Sequence, residues 1–134
     1  MGSEMCIRDR FYNLINTYNP TTLYVISPST YSEDMVDEKI GKLREALISR
    51  GIRPPMFPVS RVNPLNLKEV LKAVRNVVSK ADIVCISGEN VMFCTALAIE
   101  AIRQKKIICY VVDDRLAEER MKNPFKELEV LSLF

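Results

Sequence analysis

The sequence predicts an α/β protein of three layers, with a mainly parallel central sheet of about five strands and helices on both faces. Short runs rich in valine and isoleucine recur along the chain, and each is bounded by turn residues. Segments with helical spacing of apolar residues lie between these runs. The runs are continuously apolar, which is typical of parallel strands that are covered on both faces.

A helix over residues 11–18 and a strand over Leu23–Ser27 open the predicted order. The apolar residues at 11, 14, 15 and 18 have helical spacing, and Asn19-Pro20 ends the segment. Leu23–Ser27 is short, apolar and β-branched, and Pro28 closes it. We therefore expect a buried strand at this position.

A second helix is expected after Ser32, whose hydroxyl suits a helix N-cap. Gly51 ends this helix. Its core-facing stripe consists of Val36, Ile40, Leu43 and Leu47. The next segment, Arg53–Val59, is apolar enough for a strand, but its three prolines remove ladder donors. An edge strand or an extended loop is predicted there.

Three more helix–strand units complete the order. Asn66, with Glu69 three residues later, resembles a capping box and starts a third helix. The helix over Met92–Arg103 is apolar nearly all round, as expected of a helix packed inside the molecule. The remaining predicted elements are strands over Ile83–Ser87 and Ile107–Val112, a short helix over Arg115–Lys122 and a last edge strand over Leu128–Phe134.

Composition excludes several classes of protein. The 134 residues fit one domain, and 48% apolar with 27% charged residues is ordinary for a globular chain. The net charge of +2 requires neither a nucleic acid nor a membrane as partner. No apolar run is long enough to span a bilayer.

The cysteine and histidine content narrows the chemistry further. The chain has no histidine, which excludes the usual zinc sites and any Ser-His or Cys-His nucleophile pair. Its cysteines, Cys6, Cys85, Cys94 and Cys109, show no CxxC spacing. Free thiols fit a reducing compartment, so we expect a cytoplasmic protein. We also expect neither a metal nor a cofactor.

Residues 1–10 are predicted to be a leader outside the native domain. Met1-Gly2-Ser3 resembles a cloning leader, and Glu4–Arg10 resembles the translation of a sequencing adapter. The alternative is an ordinary native N-terminus. The single domain is accordingly predicted over residues 11–134.

Two strand ends carry the candidate ligand-binding residues. Ser27, Ser29 and Thr30 lie in a hydroxyl-rich turn before the second helix. Ser87-Gly88-Glu89-Asn90 separates a buried strand from the helix that begins near Met92. Because right-handed crossovers bring parallel strand ends to one edge, both turns are expected there, where backbone N–H groups at a helix start suit an anion. A plain βα turn capped by Ser or Asn remains the alternative.

The acidic residues admit two interpretations. Asp82 precedes a strand on the edge away from the expected ligand, which favours a role in the turn. Glu100 is either a buried nucleophile or general base, or a partner of Arg103 or Gln104 on the solvated side. Asp113 and Asp114 end a strand on the ligand edge, where they could hold a ribose hydroxyl or a metal, or form a loop.

Asp82–Phe93, with the sequence Asp-Ile-Val-Cys-Ile-Ser-Gly-Glu-Asn-Val-Met-Phe, resembles the signature of CARF domains, the CRISPR-associated Rossmann fold. In that family an apolar strand runs into a Ser/Thr-Gly loop and an apolar helix. Val62–Asn66 and Leu23–Ser27 resemble two further strand exits of the family. The resemblance covers 11–112 and implies a three-layer Rossmann-like fold.

The CARF resemblance also implies a function. It indicates a homodimeric sensor of antiviral defense that binds a cyclic oligoadenylate, such as cyclic tetra-adenylate, and acts on a separate effector protein. We expect a non-catalytic domain, although some members cleave their ligand. Carried over by position, the ligand-binding residues are Ser27, Ser29, Thr30, Ser87, Gly88, Glu89, Asn90 and Met92.

A second resemblance, to the nucleoside 2-deoxyribosyltransferases, rests on Tyr24–Pro28, Ala81–Val84 and Asp113–Arg115. It implies an enzyme with a glutamate nucleophile on the helix after the Asp82 strand. Ala98 occupies the expected position and Glu100 comes two residues late, which turns the side chain by about 200° on a helix. The position of Met5–Arg8 discriminates between the two: in the middle of the sheet they replace the first CARF strand, and at an edge they favour the enzyme.

Overall fold

The computed structural model describes residues 2–88, 90–112, 115, 117–122 and 125–132, in which helices and strands alternate as the sequence predicts. The helices are α1 (Gly2–Tyr18), α2 (Glu33–Ser49), α3 (Leu67–Lys80), α4 (Val91–Arg103) and α5 (Ala117–Lys122). The strands are β1 (Val25–Pro28), β2 (Val59–Val62), β3 (Ile83–Cys85), β4 (Ile107–Val111) and β5 (Val130–Ser132). The α/β class is therefore confirmed.

The strands pair in two sheets rather than in the single, mainly parallel sheet that we expected. β1 and β2 are parallel and form one sheet, with Val25 in register with Val59. The second sheet has the order β3-β4-β5, in which β3 and β4 are parallel and β5 is antiparallel. No pairing between β1 and β3 is present among the described residues.

The helices nevertheless form two layers that enclose both sheets. On one side, α1 and α2 pack on Val25 of β1 and on Cys109 and Val111 of β4. On the other side, α3 and α4 pack on residues of both sheets, including Val62 and Ile108. Three layers thus exist, and the two sheets share the middle one.

The predicted helix caps are confirmed where the side chains are described. The Ser32 hydroxyl accepts from the Met35 N–H at 3.1 Å, and the Asn66 amide oxygen accepts from the Glu69 N–H at 3.2 Å. Gly51, with a φ of 73°, follows α2 in the left-handed conformation that favours glycine. These local signals set the ends of both helices.

Residues 2–10 are helical, so the segment that could have replaced a first strand is part of α1. For Arg53–Val59, where an edge strand or an extended loop was predicted, residues 53–58 lie outside the named strands. Pro54, Pro55 and Pro58 precede β2, which begins only at Val59, because proline cannot donate to a ladder.

No helix in the described part of the chain is long and apolar enough to cross a membrane.

Candidate functional site

A cleft of about 750 Å³ lies between β1 and β3, against the part of α1 that runs from Arg10 to Tyr18. One end of it is formed by residues at the end of β1 and in the turns after β1 and β3, namely Ser27, Pro28, Tyr31, Ser87, Gly88 and Asn90. The structure therefore brings four of the predicted site residues to one cleft, those at 27, 87, 88 and 90. Ser29 and Thr30 are exposed beside it, and Met92 is 39% exposed on α4.

The hydroxyl of Ser27, at the end of β1, and those of Ser29 and Thr30, in the turn after it, have different surroundings. Ser27 is buried, and its hydroxyl donates to the Pro28 carbonyl at 3.4 Å. The Ser29 N–H donates to the Val62 carbonyl at 2.8 Å, which ties the turn to β2. A ligand above the turn would therefore meet the exposed side chains of Ser29 and Thr30 before that of Ser27.

Arg61 is a site candidate that the sequence did not reveal. It lies on β2, is exposed, and its Nη2 donates to the carbonyls of Ser29 at 2.9 Å and Tyr31 at 2.7 Å. No partner of its other guanidinium nitrogens occurs among the described residues. The only signal in the sequence was an arginine near a proline-rich segment, and the predicted strand ended before it. The fold therefore places a cation beside the hydroxyl-rich turn.

Ser87 uses its hydroxyl inside the protein. Its Oγ accepts from the Val111 N–H at 3.1 Å and lies 2.9 Å from the Cys85 Sγ. Its carbonyl accepts from Nη1 of Arg10 at 2.5 Å. The Ser87 side chain thus joins β3 to the end of β4, and a contact with a ligand would come from its main chain.

Gly88 and Asn90 complete the second turn, and Glu89 lies outside the described residues. A Cβ at Gly88 would lie 2.8 Å from Arg10 Nη1 and 3.1 Å from Cys94 Sγ, so glycine permits this close approach. The Asn90 amide oxygen accepts from the Phe93 N–H at 3.0 Å and so caps α4. The capping interpretation of Asn90 is therefore confirmed.

The first turn of α4 also presents free donors. In the described part of the chain, the N–H groups of Val91 and Met92 have no hydrogen-bond partner, as is usual for the first turn of a helix. These groups point toward the edge where the strands end. A phosphate or another anion could accept from them.

The cleft wall includes a thiol with a shifted acidity. A hydrogen bond from the Cys109 thiol lowers the pKa of Cys85 to about 6, aided by Ser87 and by the positive charge of Arg10, although burial opposes the shift. The same hydrogen bond raises the pKa of Cys109. Cys85 and Cys109 are in register on β3 and β4, which explains their contact.

Glu100 lies outside this site. It is 3% exposed, and its carboxylate accepts from Arg75 Nε at 3.0 Å and Arg103 Nη1 at 3.2 Å. The hydrogen bond from Arg75 holds the pKa of Glu100 below its usual value. Two arginines hold this carboxylate, and Glu100 does not line the cleft. The contacts therefore favour Glu100 as a partner of arginine over Glu100 as a nucleophile.

The other acids add little to the site. Asp82 is exposed before β3, and its carbonyl accepts from the Ile107 N–H at 3.3 Å, which agrees with a role in the turn. Asp113 and Asp114 lie outside the described residues. Within the ranges that the structure describes, no group of three or more Cys, Asp or Glu side chains could hold a metal ion.

Comparison with known proteins adds a likeness of fold. No family model matches the chain, and no curated protein matches it. Among solved structures, the chain is similar to Can2 from Sulfobacillus thermosulfidooxidans in complex with cyclic tetra-adenylate, with a TM-score of 0.61 and 13% sequence identity. The match covers 79% of this chain and 29% of the Can2 chain. The likeness supports the expected CARF-like fold.

Proposed function

We propose that this chain is a sensor domain that binds a cyclic oligoadenylate, with cyclic tetra-adenylate as the first ligand to test. The observation that carries the proposal is the fold shared with Can2, whose structure holds cyclic tetra-adenylate. The strand-end turns at 27–31 and 87–90 offer a place for such a ligand, since open α/β sheets bind ligands at this edge.

The polar groups near the ends of β1 and β3 suit a ligand made of phosphodiester-linked nucleotides. Arg61 supplies a cation whose position is held by two carbonyls. Val91 and Met92 supply N–H donors at the start of α4. Ser29 and Thr30 supply exposed hydroxyls for ribose or phosphate oxygens. Cations and N–H donors are the groups that proteins use to bind phosphates.

The exposed face of α4 supports a homodimer. Val91, Ile99 and Ile102 are 76%, 50% and 61% exposed, and Met92 lies beside Val91. Exposed apolar groups on one helix mark an interaction surface more often than an isolated exposed residue does. A cyclic oligoadenylate with two-fold symmetry fits a binding site shared by two identical chains.

The domain transmits ligand binding to a separate effector and carries out no chemistry itself. The Ser87 hydroxyl is held by Val111, and the Glu100 carboxylate is held by Arg75, so neither is placed as a nucleophile toward the cleft. Cys85, Cys94 and Cys109 are free thiols, as expected of a cytoplasmic protein. These features favour a binding role over a nucleoside-processing enzyme.

Titration calorimetry with cyclic tetra-adenylate tests the proposal. We expect one ring to bind two chains. Arg61→Met should weaken binding on the order of tenfold or more, because hydrogen bonds to charged groups contribute about 1.5–3 kcal/mol. Lys42→Met is the matched control, since Lys42 is an exposed cation on α2 paired with Glu38.

Two results would overturn the proposal. One is no binding heat from the unmodified chain while its circular dichroism shows it folded. The other is an equal effect of the Arg61 and Lys42 substitutions, which would place the ligand away from the turn at 29–31.

A further inference from the structure

Several cysteines contribute to the wall of the cleft, and two of them lie side by side on adjacent strands. Cys85, Cys94 and Cys109 are free thiols, and all three line the cleft. Cys85 on β3 is in register with Cys109 on β4. Both side chains pack against the core that contains α1 and α2, so they lie on the same face of the sheet.

The spacing of this pair permits a disulfide. Neighbouring strands lie about 4.8 Å apart, and the Cα atoms that a disulfide joins lie roughly 4.4–6.8 Å apart. The Cys109 thiol donates a hydrogen bond to the Cys85 sulfur, so the two sulfur atoms are already in contact. A bond between them would therefore require little movement of the two strands.

The surroundings of Cys85 favour its reactive form. The Ser87 Oγ lies 2.9 Å from the Cys85 Sγ. Because this oxygen already accepts from the Val111 N–H at 3.1 Å, its own hydrogen can be donated to the sulfur. The hydrogen bond from Cys109 lowers the pKa of Cys85 to about 6, and the positive charge of Arg10 acts in the same direction. A thiolate is the nucleophilic form of cysteine.

The two thiols differ in what can reach them. Cys85 is half-buried on the cleft wall, whereas Cys109 is fully buried. A reagent from solution therefore meets Cys85, and the electrophile within reach of Cys109 is an oxidised Cys85 sulfur. The Tyr18 hydroxyl forms a hydrogen bond with the Cys109 sulfur that favours its deprotonated form. One thiol is thus placed to attack and the other to resolve.

We propose that Cys85 and Cys109 form a thiol pair that reacts with hydroperoxides. The Cys85 thiolate attacks one oxygen of the hydroperoxide, the O–O bond breaks, and hydroxide or an alkoxide leaves while Cys85 becomes a sulfenic acid. The Cys109 sulfur then attacks the Cys85 sulfur and the S–O bond breaks. The departing hydroxide takes the Cys109 proton and leaves as water. The two thiols are oxidised to a disulfide that joins β3 to β4, and the hydroperoxide is reduced.

The cleft suits a hydroperoxide as the oxidant. Its volume of about 750 Å³ admits a small molecule to the Cys85 sulfur. Arg10 lines the same cleft, and a cation there stabilises the oxygen anion that leaves when the O–O bond breaks. A thiol reductant would reverse the disulfide by exchange. This chemistry goes beyond the proposed ligand binding and does not rest on it.

Peptide mass spectrometry of a chain with Cys6→Ser and Cys94→Ser gives the first test. After hydrogen peroxide at neutral pH, the tryptic peptides 81–103 and 107–115 should be joined by a disulfide, and dithiothreitol should separate them. The matched control adds Cys85→Ser, and its buried Cys109 should stay reduced. A chain that is folded by circular dichroism but forms no such link would overturn the proposal.

Two further variants test the partner of Cys85. In a chain with Cys6→Ser alone, a link from Cys85 to Cys94 would lie within peptide 81–103, and finding it in place of the link to 107–115 would refute the pairing.

Cys109→Ala, added to the chain without Cys6 and Cys94, removes the resolving thiol. The yield of dimedone adduct on the Cys85 sulfenic acid should then rise on the order of tenfold, because the sulfenic acid persists. An equal yield in a folded variant would exclude Cys109 from the reaction. None of these measurements involves cyclic tetra-adenylate, so their failure leaves the proposed function untouched.

Discussion

Among single residues, Cys85 combines a lowered pKa with a position on the wall of the cleft. The hydrogen bond from Cys109 favours the thiolate, and the nearby Arg10 adds to this effect. A thiolate is the reactive form of cysteine, so acidity and exposure together decide which cysteine reacts. Cys109 is fully buried and its pKa is raised, so it should be inert by comparison.

Labelling with iodoacetamide should therefore show a distinct pH dependence. In a chain with Cys6→Ser and Cys94→Ser, the labelling rate of Cys85 should rise with pH and reach half its maximum near pH 6, because its pKa is about 6. The rate falls as pH decreases below that value, since the thiolate is protonated. Peptide mass spectrometry after timed quenching measures it.

Arg10→Met provides the control for this prediction. Removing the cation should move the midpoint of Cys85 labelling to higher pH, because the positive charge favours the thiolate. A rate in the parent chain that still rises between pH 8 and 9, as for an ordinary thiol, would contradict the lowered pKa.

Among the elements, α4 has two faces with different roles. Phe93, Ala96 and Ala101 are buried against α3 and the sheets. Val91, Ile99 and Ile102 are exposed on the other side. The nearly all-round apolar composition predicted a helix packed inside the molecule, and the structure covers only one face of it. The uncovered face is where we place the second copy.

Sedimentation velocity tests this assignment. Ile99→Glu should shift the chain from dimer to monomer, because it places a charge in an apolar interface. Ile48→Glu is the control, since Ile48 is a similarly exposed isoleucine, at 64%, on α2. A parent chain that is monomeric at high micromolar concentration, or a dimer unaffected by Ile99→Glu, would exclude this face.

At the scale of the whole molecule, α1 is joined to the C-terminal part of the chain by buried polar contacts. The Asp9 carboxylate is 3.0 Å from Arg115 Nη2, and both side chains are at most 6% exposed. Asp9 also accepts from the Phe125 N–H at 2.9 Å, and Asn13 accepts from the Leu128 N–H at 2.6 Å. Asp9 belongs to the predicted leader, and these contacts connect it to the domain.

Loss of the Arg115 side chain should consequently be costly. Arg115→Ala should lower the free energy of unfolding by about 3 kcal/mol, because it removes a buried cation that lies 3.0 Å from the buried Asp9 carboxylate. Lys42→Ala breaks the exposed Lys42–Glu38 pair and should cost less than about 0.5 kcal/mol. Urea unfolding of both variants measures the difference. Similar small losses would show that the Asp9–Arg115 pair contributes no more than a surface pair.

The sequence alone determined the order of helices and strands and the caps at Ser32 and Asn66, because helical spacing and capping act over a few residues. It also located the turns at 27–31 and 87–90, since strand ends are marked by local composition. It left open whether Arg53–Val59 is an edge strand or an extended loop, and it did not predict the helix before Phe11, where local signals were weak.

The tertiary structure alone decided which strands pair. The residues of β1 and β3 do not by themselves indicate that a cleft separates the two strands, because strand pairing depends on residues far apart in sequence. The same reason applies to the site. Arg61 contacts the turn at 29–31, and the Ser87 hydroxyl contacts Val111. Both contacts join residues that only the fold brings together. Local physics thus set the elements, and long-range packing set the cleft and the partners of its side chains.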